Sequence, residues 1–284
     1  MARDLGDVLH YFIPEAGEPQ GPECDADPSE LRERMRPSPR GGVGPFGVIA
    51  VPLGHRDVLR ATFVWNLAVE MTGQGAPTTV VVASRMAPPV WPEPGRTAMG
   101  AELVPVLADN LGDLSRAALD VAVSRAADDD PGAQVVVCIP PAWLRKAADG
   151  AAILRRVLLF TSPEPTELIE TYALAKHLWG MSRETVLGVT VYGVQRVETA
   201  ARAFERIAAT AEKHLGCELT SYGLLVDELQ IYRAIVERRP IGVAHPQSRA
   251  ARSLRDVARL VLDDVTPEVD DLAPGFGPPA GLSG

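Results

Sequence analysis

The chain has 284 residues, 46% hydrophobic and 23% charged, with a mean hydropathy of +0.03, which is enough for one sizeable core. A net charge of −9 and a pI near 5.1 argue against a sequence-independent hold on nucleic acid or an anionic membrane, since such binding needs clustered Lys and Arg. Cys24, Cys138 and Cys217 lack metal-ligand spacing and read as thiols in a reducing compartment, so neither a metal site nor a disulfide framework is expected.

In chain order, Met1–Arg3 is followed by acidic residues and not by the apolar core of a signal peptide. No apolar run approaches the ~20 residues of a membrane span. The expected location is cytoplasmic, with no direct membrane insertion. Residues 1–14 form a short amphipathic segment: Leu5, Val8, Leu9, Phe12 and Ile13 share a helical face that Pro14 ends. Such a segment either docks in a groove on a protein partner or folds back on its own domain. Residues 15–45, rich in Pro, Gly and charge, read as a flexible linker.

From Phe46 strand and helix patterns alternate, and a single domain over 46–265 follows. Short apolar runs at Val48–Val51, Thr78–Ala83, Val135–Ile139, Val157–Thr161, Val186–Tyr192 and Leu219–Leu225 have the character of strands covered on both faces. Helical patterns lie at His55–Thr72, Ala108–Ala126, Ala142–Leu154, Thr166–Gly180, Val197–Leu215, Gln230–Glu237 and Ser248–Leu262. The fold class is therefore α/β: a three-layer, doubly wound, mostly parallel sheet. The Pro-rich stretch Met86–Met99 reads as a surface loop, and 266–284 as a disordered tail.

The stretch FGVIAVPLGHRDVLRATFVWNLA, Phe46–Ala68, has the strand–loop–helix order of a phosphate-binding unit. Further on, LLFTSPEPTELIETYALAKHL, VLGVTVYGV and GLLVDELQIYRAIVERRPIGVAHPQSRAARSLRDVARLVL carry a resemblance. The chain resembles the MinD/ParA-type deviant-Walker P-loop ATPases, with most likeness to the flagellar-number regulator (FlhG-like) branch. Asp227, Ala234, Pro240, Pro246, Ser248 and Ala251 keep the family spacing. The resemblance implies a P-loop NTPase-like fold.

It also implies where the site should lie, and there the residues depart from the pattern. The family's phosphate loop GKGGVGKT aligns with Gly54, His55, Arg56, Asp57, Val58, Leu59, Arg60 and Ala61, followed by Thr62. Such a loop works through glycines with φ > 0 and lysines on the phosphates. Both lysines are gone, and Arg60 is a planar fork where a point charge is needed. Asp57 puts a negative charge where the anion would lie, at a cost of roughly 4 kcal/mol for like charges ~4 Å apart. Leu59 in a left-handed conformation would add roughly 1–2 kcal/mol. The Walker B carboxylate position holds Ile139, and the base-contacting Asn position holds Tyr192. Phosphoryl transfer is mostly positioning and charge stabilisation by these groups, so hydrolysis is not expected.

Other candidates have simpler readings. His10, His55, His177, His214 and His245 are scattered without metal spacing. Ser162 and Ser248 read as helix caps, Asp128–Asp130 as a solvated turn, and the alternating charges of the last helices as exposed faces.

The function expected is that of a catalytically inactive, cofactor-free MinD/ParA-like pseudo-ATPase. It would act as a scaffold or positioning protein through protein partners, as a homodimer, or as a heterodimer with an active relative. One alternative is a module that binds a nucleotide or other anion through the remodelled loop, using His55, Arg56 and Arg60 at the helix N-terminus. Another is a small-molecule enzyme on a reused α/β scaffold.

Overall fold

The structure, a computed structural model, describes residues 47–127, 132–146 and 151–265. The amphipathic segment, the linker, Asp128–Asp130 and the tail read from the sequence lie outside the described residues, as does Cys24.

The central strand is β1 (Gly47–Pro52), and the first helix is α1 (Val58–Gly73). There follow β2 (Thr78–Ala83), β3 (Gly95–Arg96), β4 (Glu102–Val106), α2 (Leu111–Ala127), β5 (Gln134–Ile139) and the single-turn α3 (Pro141–Leu144). The second half comprises β6 (Arg156–Thr161), α4 (Pro165–Met181), β7 (Val186–Val194), α5 (Val197–Leu215), β8 (Leu219–Val226), α6 (Leu229–Glu237), α7 (Ile241–Ala244) and α8 (Arg249–Val265).

These strands form one eight-stranded sheet, ordered β3-β4-β2-β5-β1-β6-β7-β8, parallel except for β3 against β4. The near-continuous apolar runs are explained by two covered faces. Ile49 and Val51 of β1 point into a core built with α1, α6, α7 and α8, whereas Ala50 points into a second core built with α2, α3, α4 and α5.

The structure alters or adds to the sequence reading at three places. Ala101–Val106 contains a strand that Pro105 disguises. β3 pairs only with Glu102 and Leu103, so the donor that Pro105 lacks would face an unpaired edge. The helix expected over Ala142–Leu154 is not continuous. It is one turn, Pro141–Leu144, and later a 3₁₀ turn, Ala151–Leu154, with 147–150 outside the described residues. The Met86–Met99 stretch is the largely exposed loop expected, but it is anchored inward at one point: Trp91 is 6% exposed, and its indole N–H donates to the Ala61 carbonyl at 2.8 Å. A Trp that large finds both apolar cover and a polar partner here.

A polar cluster is buried at the opposite end of the sheet from the strand C-termini. Arg156, at the start of β6, pairs with Asp264 near the end of α8, and the Tyr222 hydroxyl also donates to Asp264. The Arg156 and Asp264 side chains are 9% and 2% exposed, so this end of α8 is not the solvated charged face its sequence suggests. Burial pushes the Tyr222 phenol up to about 12, against the pull of Arg156. Tyr222 lies flat on β7 at Gly188, where a Cβ would come within 1.9 Å of its ring.

Candidate functional site

The direction in which strands are added to the sheet reverses at β1. After β1 the strands are laid down on one side of it, and after β5 on the other, so the crevice between β1 and β6 is the topological switch point. The two strands are bridged only at Ala50↔Val157, and their C-terminal halves make no ladder with each other. A cavity of about 530 Å³ opens there, bordered by Pro52, Arg60, Pro141, Phe160, Glu170 and His177.

The loop from β1 to α1 is short and tied down. Leu53 N–H donates to the carbonyl of Ile139, which is itself fully buried at the end of β5. None of its residues has positive φ, and Gly54 faces open space, so neither conformation nor sterics requires a glycine there. Helix α1 begins at Val58, so Leu59 and Arg60 lie in its first turn in right-handed conformation. The left-handed strain expected at Leu59 therefore does not arise. Asp57 is the N-cap: its carboxylate accepts from Arg60 N–H at 3.0 Å. The chain's own anion thus sits at the helix N-terminus, where the backbone partial charge is positive. Thr62 is turned into the helix, its hydroxyl donating to Val58 O at 2.8 Å, while His55 and Arg56 are exposed.

Three of the positions singled out from sequence meet. The Arg60 guanidinium lies 3.3 Å from Asp57 Oδ2, donates to Glu167 Oε2 at 3.0 Å and reaches the Tyr192 hydroxyl at 3.4 Å. Tyr192 in turn donates to Glu167 Oε2 at 2.6 Å. Below this network Phe63 packs on both Tyr192, at 5.6 Å between ring centroids, and Phe160, at 6.2 Å. Glu167, in the first turn of α4, completes the network and is the residue that sequence reasoning missed. An acid there is what any helix start favours, so its pattern carries no separate signal.

Burial works against the Arg60 charge, but Tyr192, Asp57 and Glu167 outweigh it and hold the guanidinium above its ordinary value. Burial and the Glu167 hydrogen bonds push the Tyr192 phenol up to about 12, against the pull of Arg60. A raised folded-state value stabilises the protein fully below the unfolded value of about 10, and that contribution is lost as pH rises through about 12. In an ultraviolet titration of the folded protein, Tyr192→Phe is expected to remove one late-ionising phenol.

Elsewhere, Ser248 bonds Ala251 N–H at 3.1 Å as a cap of α8. Ser162 only closes a turn onto Glu164 N–H, and Glu164 holds the N-cap position of α4. Cys138 and Cys217 are buried and not disulfide-bonded, and burial pushes the Cys138 thiol up. Among the described residues no three His, Cys, Asp or Glu side chains converge as a metal would require, and no helix is long and apolar enough to cross a membrane.

The class this geometry defines is a three-layer, doubly wound P-loop NTPase-type fold with a crevice at the strand C-termini. Within it, the fold is that of the MinD ATPases. The chain is similar to the MinD cell division protein of Aquifex aeolicus (TM-score 0.55, 15% identity, 78% of this chain and 98% of that one). It is similar to the septum site-determining protein MinD of Pyrococcus horikoshii OT3 in complex with Mg-ADP (0.56, 14%, 76% and 96%). It is also similar to MinD in the MinC:MinD complex of Aquifex aeolicus (0.55, 15%, 78% and 97%). No protein-family model and no curated protein matches the sequence, so the likeness is one of fold.

Proposed function

We propose that this protein is a non-hydrolysing member of the MinD/ParA fold group that acts as a scaffold or positioning protein through protein partners. The observation that carries this reading is at the N-terminus of α1, which is capped by the Asp57 carboxylate and followed by Arg60, itself held by Glu167 and Tyr192. A nucleotide phosphate would have to displace the chain's own anion and free a guanidinium already paired. The absence of left-handed residues from the loop adds to this, because the inward-turned N–H groups of a phosphate cradle need them. One similar structure is a MinD bound to MinC, which makes a protein partner a reasonable kind of ligand for this fold.

Titration calorimetry and thermal unfolding with ATP or ADP and magnesium test the reading directly. No heat of binding and no shift in midpoint are expected. A ligand at 100 times its dissociation constant adds about 2.7 kcal/mol of stability, and a shift of that size would overturn the proposal.

One observation favours a second reading, a module for another anion: the 530 Å³ cavity borders Arg60. An Arg56→Ala/Arg60→Ala chain that keeps every ligand and partner would end it.

A further inference from the structure

On the α1/α8 side, α6 carries an apolar stripe with no cover among the described residues. Leu229, Tyr232 and Val236, spaced i, i+3 and i+7, are 58%, 48% and 84% exposed. Ile235, one turn beyond Tyr232, continues the stripe into a cavity of about 220 Å³ between α6, α1 and the loop that holds Trp91. That cavity is walled by Val90, Trp91 and Met99, and Arg238 and Arg239 stand at its lining. An apolar cavity of about 150 Å³ is enough to take a benzene ring. Among the described residues no carboxylate pairs with Arg233, Arg238 or Arg239, although the chain as a whole is acidic. The surface therefore asks for an acidic, amphipathic partner with a bulky apolar anchor.

The chain has such a segment outside the described residues. Residues 1–28 carry seven carboxylates against one arginine, and Leu5, Val8, Leu9 and Phe12 recur at helical spacing with Asp4 and Asp7 beside them. The connection also fits. Gly47, where the described chain begins, sits against Val265 at the end of α8, and Glu228, at the start of α6, accepts from Ala250 N–H at the other end of α8. The distance to be crossed is close to the length of that 17-residue helix, about 25 Å. A coil as long as residues 15–46, 32 residues, has an r.m.s. span of about 30 Å. A tether matched to its span gives an effective concentration in the millimolar range, so even weak docking is populated.

We infer that residues 4–13 dock in cis on the α6 stripe, with Asp4 and Asp7 facing Arg238 and Arg239 and an apolar anchor in the adjacent cavity. The inference does not depend on whether the crevice at β1 binds nucleotide. It makes α6 a covered surface that a partner gains only by displacing the segment.

Hydrogen exchange on the full chain tests it. In Leu9→Asp/Phe12→Asp, amides of residues 229–237 should exchange faster by about tenfold or more, while those of β1 and β5 stay unchanged. Arg238→Glu/Arg239→Glu should release the same amides, and adding Asp4→Arg/Asp7→Arg should restore their protection. Equal exchange of α6 in the native chain and Leu9→Asp/Phe12→Asp overturns the inference. Protection that fades on dilution also overturns it, because it assigns the surface to a second copy. Release without charge-swap rescue overturns the pairing. Leu9→Asp/Phe12→Asp changes none of the described residues, so it remains decisive if the arginine variant loses its sheet protection.

Discussion

Asp264→Ala is expected to destabilise the domain by about 3–5 kcal/mol, the cost of leaving one member of a buried ion pair without its partner. Arg156 would keep its charge in a site where its side chain is 9% exposed, and burial already lowers its hold on the proton. Tyr222 would lose the acceptor of its hydroxyl. For a domain of this size, the loss corresponds to a fall in melting midpoint on the order of 10 °C. Denaturant unfolding of Asp264→Ala beside Arg156→Met/Asp264→Leu separates two causes. Removing both charges should recover most of the loss, because a well-packed apolar pair can replace a buried ion pair at little cost. If the double variant is no better than the single one, the deficit lies in the packing of α8 and not in the stranded charge.

Gly188→Ala is expected to cost about 1–3 kcal/mol from overpacking alone, since a methyl at that position would stand 1.9 Å from the Tyr222 ring. The neighbour that must move is an aromatic ring, and its hydroxyl is fixed on Asp264. The two sites should therefore be coupled. In a double-mutant cycle, Gly188→Ala and Tyr222→Leu are expected to deviate from additivity by about 0.5–3 kcal/mol, because the smaller side chain leaves room for the new methyl. Additive losses would mean that the glycine serves the strand and not the ring.

Much of the architecture was legible in the sequence because parallel strands with two covered faces write themselves as continuous apolar runs. The runs around Val48, Val80, Val136, Leu158, Val189 and Leu224 all became strands of one sheet. The strand containing Pro105 was not legible, because its proline sits on an edge that only the sheet order reveals. Nor was the inward packing of Trp91, since a Pro-rich context masks a ring whose partner lies 30 residues away.

At the site, Asp57, Arg60 and Tyr192 each depart from the family pattern in the sequence, but their mutual contact cannot be read there. Arg60 and Tyr192 are 132 residues apart and meet only because β7 lies two strands from β1. Glu167 could not be singled out at all, since its chemistry in the network is invisible until α4 is seen to start beside α1. The steric argument at Leu59 failed for a related reason: it assumed the loop of the family, whereas here the helix starts early enough to take that residue in.

The contact of Gly47 with Val265 closes the domain on itself. Among the described residues the first strand lies in the middle of the sheet, and α8, the last helix, packs on β8 and α1 and meets that strand at its start. That strand and the helix that meets it are about two hundred residues apart, a long-range closure of the kind that slows folding. The same adjacency means that the domain has no natural first residue. A circular permutant joining 265 to 47 and opened in a surface loop would keep the strand order among the described residues, while freeing the order in which its two halves emerge.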